Sequence, residues 1–357
     1  MTWYLDPCAQ PCQRSREAAV ARQRLLTKPP GSLGRLEHLA EQFAGWQGTP
    51  LPRLERIRVR VFAGDHGVAR RGVSAFPVEV TAQMIANFLA GGAAISVLSR
   101  QLGADFAVVN MGTATPLPPA PGLIDAAAAP GTADFTEGPA MTAAVAAACL
   151  AAGADQAQGD GLQLFIAGDM GIGNTTAAAA IIAALLDLDG SQVAGRGTGV
   201  DDGGLARKRA ALDAALARHG SSRGDALAVL RCLGGLEIAA MCGAYLRCAQ
   251  RGVPCLVDGF IATAAAMVAV RLNPGVRDWL LFGHRSAERA HGLALHSLDA
   301  EPLLDLGMRL GEGSGAAVAV PIIQAALTLH REMATFDGAG VAGQSARPRH
   351  GAAPGAG

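Results

Sequence analysis

The stretch Leu310–Ala317, LGEGSGAA, sets one carboxylate, Glu312, between two glycines at the mouth of a helical run. Glycine loops that feed a helix commonly hold anions on free backbone N–H groups, and an ionised glutamate would repel such a guest. The flanking glycines instead let a flat ring approach the backbone closely. Apolar neighbours such as Leu310 disfavour the charged form and move Glu312 toward a usable general base. An exposed loop carboxylate is the plainer alternative.

A second loop suits an anion better. Gly168-Asp169-Met170-Gly171-Ile172-Gly173-Asn174-Thr175-Thr176 follows an apolar run and precedes an alanine-rich helix. Asn174 stands where a nucleotide P-loop has lysine, which disfavours triphosphate chemistry. A helix start with two hydroxyls and an amide remains, enough for one phosphate monoester. Gly195–Asp202, GRGTGVDD, offers Gly197 and Thr198 as further phosphate contacts, with Lys208 on the helix that follows.

Other candidates are weaker alone. Asp65-His66 lies just past a strand; adjacent side chains diverge, so loop hydrogen bonding is expected there rather than a metal. Ser74, Phe76 and Gln83 could line an apolar pocket with an amide at its edge, although Phe76 also suits a core. Asp258 and Ser286 follow two further strands, where either could also be a helix N-cap.

The surrounding elements must position these groups. The chain has 357 residues, 50% of them hydrophobic and 4% aromatic, with 46 glycines. That profile suits an α/β enzyme and disfavours an all-β one. Basic and acidic residues balance at 30 each, which favours a small-molecule substrate over nucleic acid. Seven cysteines show no zinc spacing, and no further metal or cofactor is expected. The start, MTWYLDPCAQPCQ, lacks the pattern of a signal peptide, and no membrane span is expected, so the reading is cytoplasmic.

Strands are expected at 57–64, 105–110, 162–167, 254–257 and 278–282. Helices are expected through much of 1–50 and near 79–89, 93–102, 142–153, 204–218, 235–248 and 315–334. Residues 28–34 read as a turn with Ser32 as N-cap, and 114–133 as a surface connection. Such alternation gives a mostly parallel sheet covered by helices, with ligands at the strands' carboxyl ends.

Nine segments in this order resemble the nicotinate-nucleotide–dimethylbenzimidazole phosphoribosyltransferases of cobalamin assembly. They are KPPGSLGRLE (28–37), AGDHGV (63–68), GVSAFPVEVTAQM (72–84), GDMGIGNTT (168–176), GRGTGVDD (195–202), LGGLEIAAM (233–241), VDGFI (257–261), FGHRSAE (282–288) and LGEGSGAA (310–317). The resemblance implies a doubly wound, Rossmann-like parallel sheet with a small helical domain from both chain ends, and a homodimer. The division expected is 1–50 with 305–335, then 51–304, with a disordered tail at 336–357.

It also implies substrates and roles. Nicotinate mononucleotide would give its 5-phosphoribosyl group to 5,6-dimethylbenzimidazole, with Glu312 as base and Asp169 beside it. Gly171, Gly173, Asn174, Thr175, Gly197, Thr198, Lys208, Asp258 and Ser286 would hold the nucleotide. Ser74, Phe76, Gln83 and Leu310 would hold the acceptor base. Three positions depart from the family pattern: Asp169 for a usual glutamate, Ser314 for a common threonine, and no aspartate in Asn110-Met111-Gly112. Another acceptor base, or a nucleotide-binding sensor without catalysis, are the other readings.

Overall fold

Ile57–Gly64 forms β1, and every residue in it except Arg58 is buried. A strand covered on both faces needs such an apolar run; Arg60 is tolerated because its guanidinium pairs with Asp105 at 2.9 Å. The structure is a computed structural model and describes residues 2–197 and 199–342.

The remaining strands are β2 (Asp105–Gly112), β3 (Leu123–Asp125), β4 (Leu164–Met170), β5 (Cys255–Val257) and β6 (Leu280–Phe282). Their order is β3-β2-β1-β4-β5-β6, and all neighbours run parallel. The chain winds outward from β1 to β3, then restarts at β4 on the other side of β1. This is a doubly wound sheet whose strand order reverses at β1 and β4, and its ligand crevice belongs beyond the carboxyl ends there. The register sets Phe62 beside Asp169 and Ala63 beside Met170.

Several expectations need correction. β3 lies inside the segment 114–133 expected as a plain connection; three residues paired to Val108–Asn110 are too short to stand out among prolines and glycines. The helix Phe260–Leu272 is absent from the sequence reading because its unbroken apolar run has no helical period to reveal it. Ser32 caps nothing: the helix Arg35–Gln47 starts after Gly34, and the Leu33 N–H donates to Glu37. Residues Phe336–Ala339, expected in the tail, form a short helix capped by Thr335; residues 343–357 lie outside the described residues.

The contacts divide the described residues into two compact units, 2–11 with 54–322, and 12–53 with 323–342. Residues 305–322, expected with the small domain, fall in the first. That unit holds the whole sheet. The second holds the helices Gln13–Gln23 and Arg35–Gln47 and the buried Lys28–Glu37 pair, 2.8 Å apart. The apolar stretch Val80–Leu102 has the length and composition to cross a membrane, but residues 90–93 break it into the helices Val80–Leu89 and Ala94–Leu102.

Candidate active site

A cavity of about 300 Å³ opens beyond the carboxyl ends of β4, β5 and β6. Glu312 lines it at 5% exposure, in a left-handed conformation with φ of 66°. Left-handed backbone strains any residue with a Cβ, and non-glycine cases gather at functional sites. Gly311 and Gly313 beside it share the conformation. The turn passes so near β4 that a Cβ on Gly168 would overlap the Glu312 carbonyl oxygen. Glycine at 168 is thus what lets the turn reach its place.

Burial pushes the Glu312 carboxyl up to about 7, with Asp258 adding and the Ile95 N–H opposing. Its Oε2 has no hydrogen-bond partner among the described residues. A half-ionised carboxylate near neutral pH, with one oxygen free, is suited to accept a proton from a heterocycle. Asp169, also on the wall, is raised well above the carboxylate range by burial and then by Asp258, Glu237 and Glu312; its bond from Asn174 opposes this. Asn174 Nδ2 donates to Asp169 Oδ2 at 2.9 Å. Burial thus favours the neutral acid form of Asp169.

The helix Asn174–Leu186 starts at Gly173, whose φ is 100°. Gly171, Asn174 and Thr175 line the cavity near this N-terminus, together with Gly197 and Ser286. Lys208, 1% exposed, donates from Nζ to Thr175 Oγ1 at 2.8 Å. Burial brings its ammonium down to about 8, with Glu288 opposing. A phosphate beside Thr175 would restore the charge. Thr198 lies outside the described residues.

Ser286 is fixed from behind. Its backbone N–H donates to His291 Nδ1 at 2.8 Å, so His291 carries its proton on Nε2 and donates to Thr263 Oγ1 at 3.0 Å. Asp258 lines the cavity but is 0% exposed, and its oxygens accept from the Gly313 and Ala316 N–H groups.

The apolar wall brings Phe76 and Leu310 together with Val80, Met84 and Met170. Gln83 is exposed and Met84 takes the wall position on the same helix. Ser74 is off the wall; its hydroxyl accepts from the Phe76 N–H. Asp65 and His66 are buried outside this cavity, His66 paired with Glu237 at 2.8 Å. Arg309, unremarked in the sequence, lines the cavity and donates to the Gly197 carbonyl at 3.0 Å. Its only signal was a cation three positions before Glu312.

A switch-point crevice in a parallel sheet, with a glycine-led helix start and a buried carboxyl raised to about 7 on one cavity, suits an α/β group-transfer enzyme handling a phosphorylated substrate. Residues 8–341 match the family model described as Phosphoribosyltransferase. Two relatives bear the name nicotinate-nucleotide–dimethylbenzimidazole phosphoribosyltransferase. One, from Pseudomonas fluorescens (strain SBW25), is 55% identical over 348 residues, covering 97% of this chain and 99% of its own. The other, from Xanthomonas axonopodis pv. citri (strain 306), is 56% identical over 342 residues, covering 95% and 98%. A crystal structure of the enzyme so named from Thermus thermophilus superposes with a TM-score of 0.88 at 45% identity, covering 93% of this chain and 100% of that one. The chain belongs to the nicotinate-nucleotide–dimethylbenzimidazole phosphoribosyltransferase family, and it is a phosphoribosyltransferase.

Proposed function

We propose that the enzyme moves the 5-phosphoribosyl group of nicotinate mononucleotide to 5,6-dimethylbenzimidazole, releasing α-ribazole 5′-phosphate and nicotinate, as a step of cobalamin nucleotide-loop assembly. The observation that carries this reading is Glu312: a buried carboxyl poised at about 7 on the same cavity as the Asn174 helix start. The phosphate sits at that N-terminus with Thr175, Gly197 and Lys208, and the planar base lies against Phe76, Val80, Met84 and Leu310.

The imine nitrogen of the base attacks C1′ from the face opposite nicotinate, so the anomeric centre inverts. The breaking C1′–N bond returns its electron pair to the pyridinium ring, which leaves as neutral pyridine nitrogen. The other benzimidazole nitrogen turns acidic as positive charge develops, and Glu312 takes its proton. General base help of this kind contributes roughly 10²–10⁴ in rate, or about 3–5 kcal/mol of barrier. The reading includes a cytosolic homodimer that needs two small molecules and no metal, cofactor or nucleic acid.

The test is to incubate purified protein with both substrates and identify the products by chromatography and proton NMR. Equimolar nicotinate and an α-anomeric ribazole phosphate support the proposal. Turnover only with another base, such as adenine or a phenol, replaces the acceptor. Nucleotide binding without any turnover refutes it.

A further inference from the structure

The helix Ser314–Glu332 begins directly after the strained turn that carries Glu312. Its first N–H groups have no partner within the helix, and the Ser314 hydroxyl is spent donating to the Gly311 carbonyl at 2.7 Å. The acceptor comes from elsewhere in the sequence. Asp258, one residue past β5, accepts from the Gly313 N–H at 3.2 Å on Oδ2 and from the Ala316 N–H at 2.8 Å on Oδ1. His284, two residues past β6 and 2% exposed, places Nε2 3.6 Å from Oδ1. Its ring occupies the space that a side chain at Gly315 would need.

Asp258 therefore grips the residue that follows Glu312 and the first turn of the helix. Three consecutive left-handed residues, one with a Cβ, persist only where the surroundings over-determine them. Here the determinants are the close pass over Gly168 and the two bonds to Asp258. A carboxylate with both oxygens turned into backbone N–H groups has little left to offer a substrate.

We propose that Asp258 is a positioning residue for Glu312: its carboxylate, backed by His284, holds the Gly311–Gly313 turn in the conformation that places the Glu312 side chain on the cavity wall. This rests on the reading of Glu312 as the base. It differs from a nucleotide-binding role for Asp258, and from a general structural one.

A double-mutant cycle separates these. Asp258→Asn keeps the side chain's size but opposes one N–H with an NH₂ group. In the wild-type background it lowers kcat by about 10- to 100-fold, the loss expected from misplacing a catalytic group by about 1 Å. KM for nicotinate mononucleotide stays within about twofold, since no nucleotide contact is removed. In a Glu312→Gln background the same change costs less than about threefold, because the group it positions is already gone.

Equal losses in both backgrounds would overturn the proposal, as would a loss confined to KM for the nucleotide. Hydrogen exchange of the peptide spanning 311–317 provides a readout independent of turnover. Faster exchange there in Asp258→Asn, with the protein still folded by melting temperature, supports the clamp; unchanged exchange overturns it. A wild-type protein that forms no product refutes the functional reading, and the exchange result still decides the clamp.

Discussion

Replacing Glu312 by glutamine should stabilise the protein increasingly as pH rises from about 4.5, with the gain nearly complete by about 7. Burial moves the carboxyl from 4.5 to about 7. At about 1.4 kcal/mol per pH unit, the folded state disfavours the ionised form by about 3 kcal/mol. Water in the open cavity screens this to about 2 kcal/mol. The folded pKa is raised, so Glu312's contribution to stability is fully present below about pH 4.5 and declines as pH rises through about 7. Glutamine has the same shape and no charge, and Asp169 and Asp258 stand in both proteins. The assay is the melting temperature of wild type and Glu312→Gln at matched scan rate from about pH 4 to about pH 8.5. Near pH 4 the two should coincide, and from about pH 7 upward the variant should melt roughly 3 °C higher. A difference independent of pH would refute the claim that Glu312 bears a buried charge.

Lys208→Met should raise KM for the nucleotide about tenfold or more, the loss of one charge-assisted hydrogen bond, with KM for the base little changed. In the wild type, nucleotide affinity should weaken above about pH 8 as the Lys208 ammonium loses its proton, and the variant should lack that limb; a variant that retains it assigns the titration elsewhere. Asp169→Asn should keep kcat within about threefold, because burial favours the neutral acid, which the amide resembles in shape and hydrogen bonding. A loss as large as that of Glu312→Gln would mean that Asp169 works ionised. Gly168→Ala should lose about 1–3 kcal/mol of stability from overpacking and about tenfold or more in kcat as the Glu312 turn is displaced. Unchanged stability and activity would show that the turn is not held against β4.

The strands that form the crevice were legible because their signals are local. Residues 57–64 end at a glycine, and 164–170 lead into a glycine loop and an alanine-rich helix. The glycine loop before the helix Asn174–Leu186 and Glu312 were legible as candidates for the same reason: glycine and helix start adjoin in sequence. What stayed hidden depends on partners far along the chain. Asp258 reads as a nucleotide contact or an N-cap beside its own strand until the fold brings Ala316 to 2.8 Å. Arg309 reads as a solvated cation until it meets the Gly197 carbonyl. Gln83 and Met84 differ only in which side of one helix faces the cavity, and helix orientation follows from packing against the sheet. Lys208 sits among Arg207 and Arg209, and nothing in that run marks it as the buried one.

The role of Glu312 is tested most directly by the rate of α-ribazole 5′-phosphate formation by wild type and Glu312→Gln at pH 8, with nicotinate mononucleotide binding measured alongside. A general base at this position requires a loss of about 10²-fold or more in the variant, with binding retained. Equal rates, within about threefold, would contradict the assignment of Glu312 as the base.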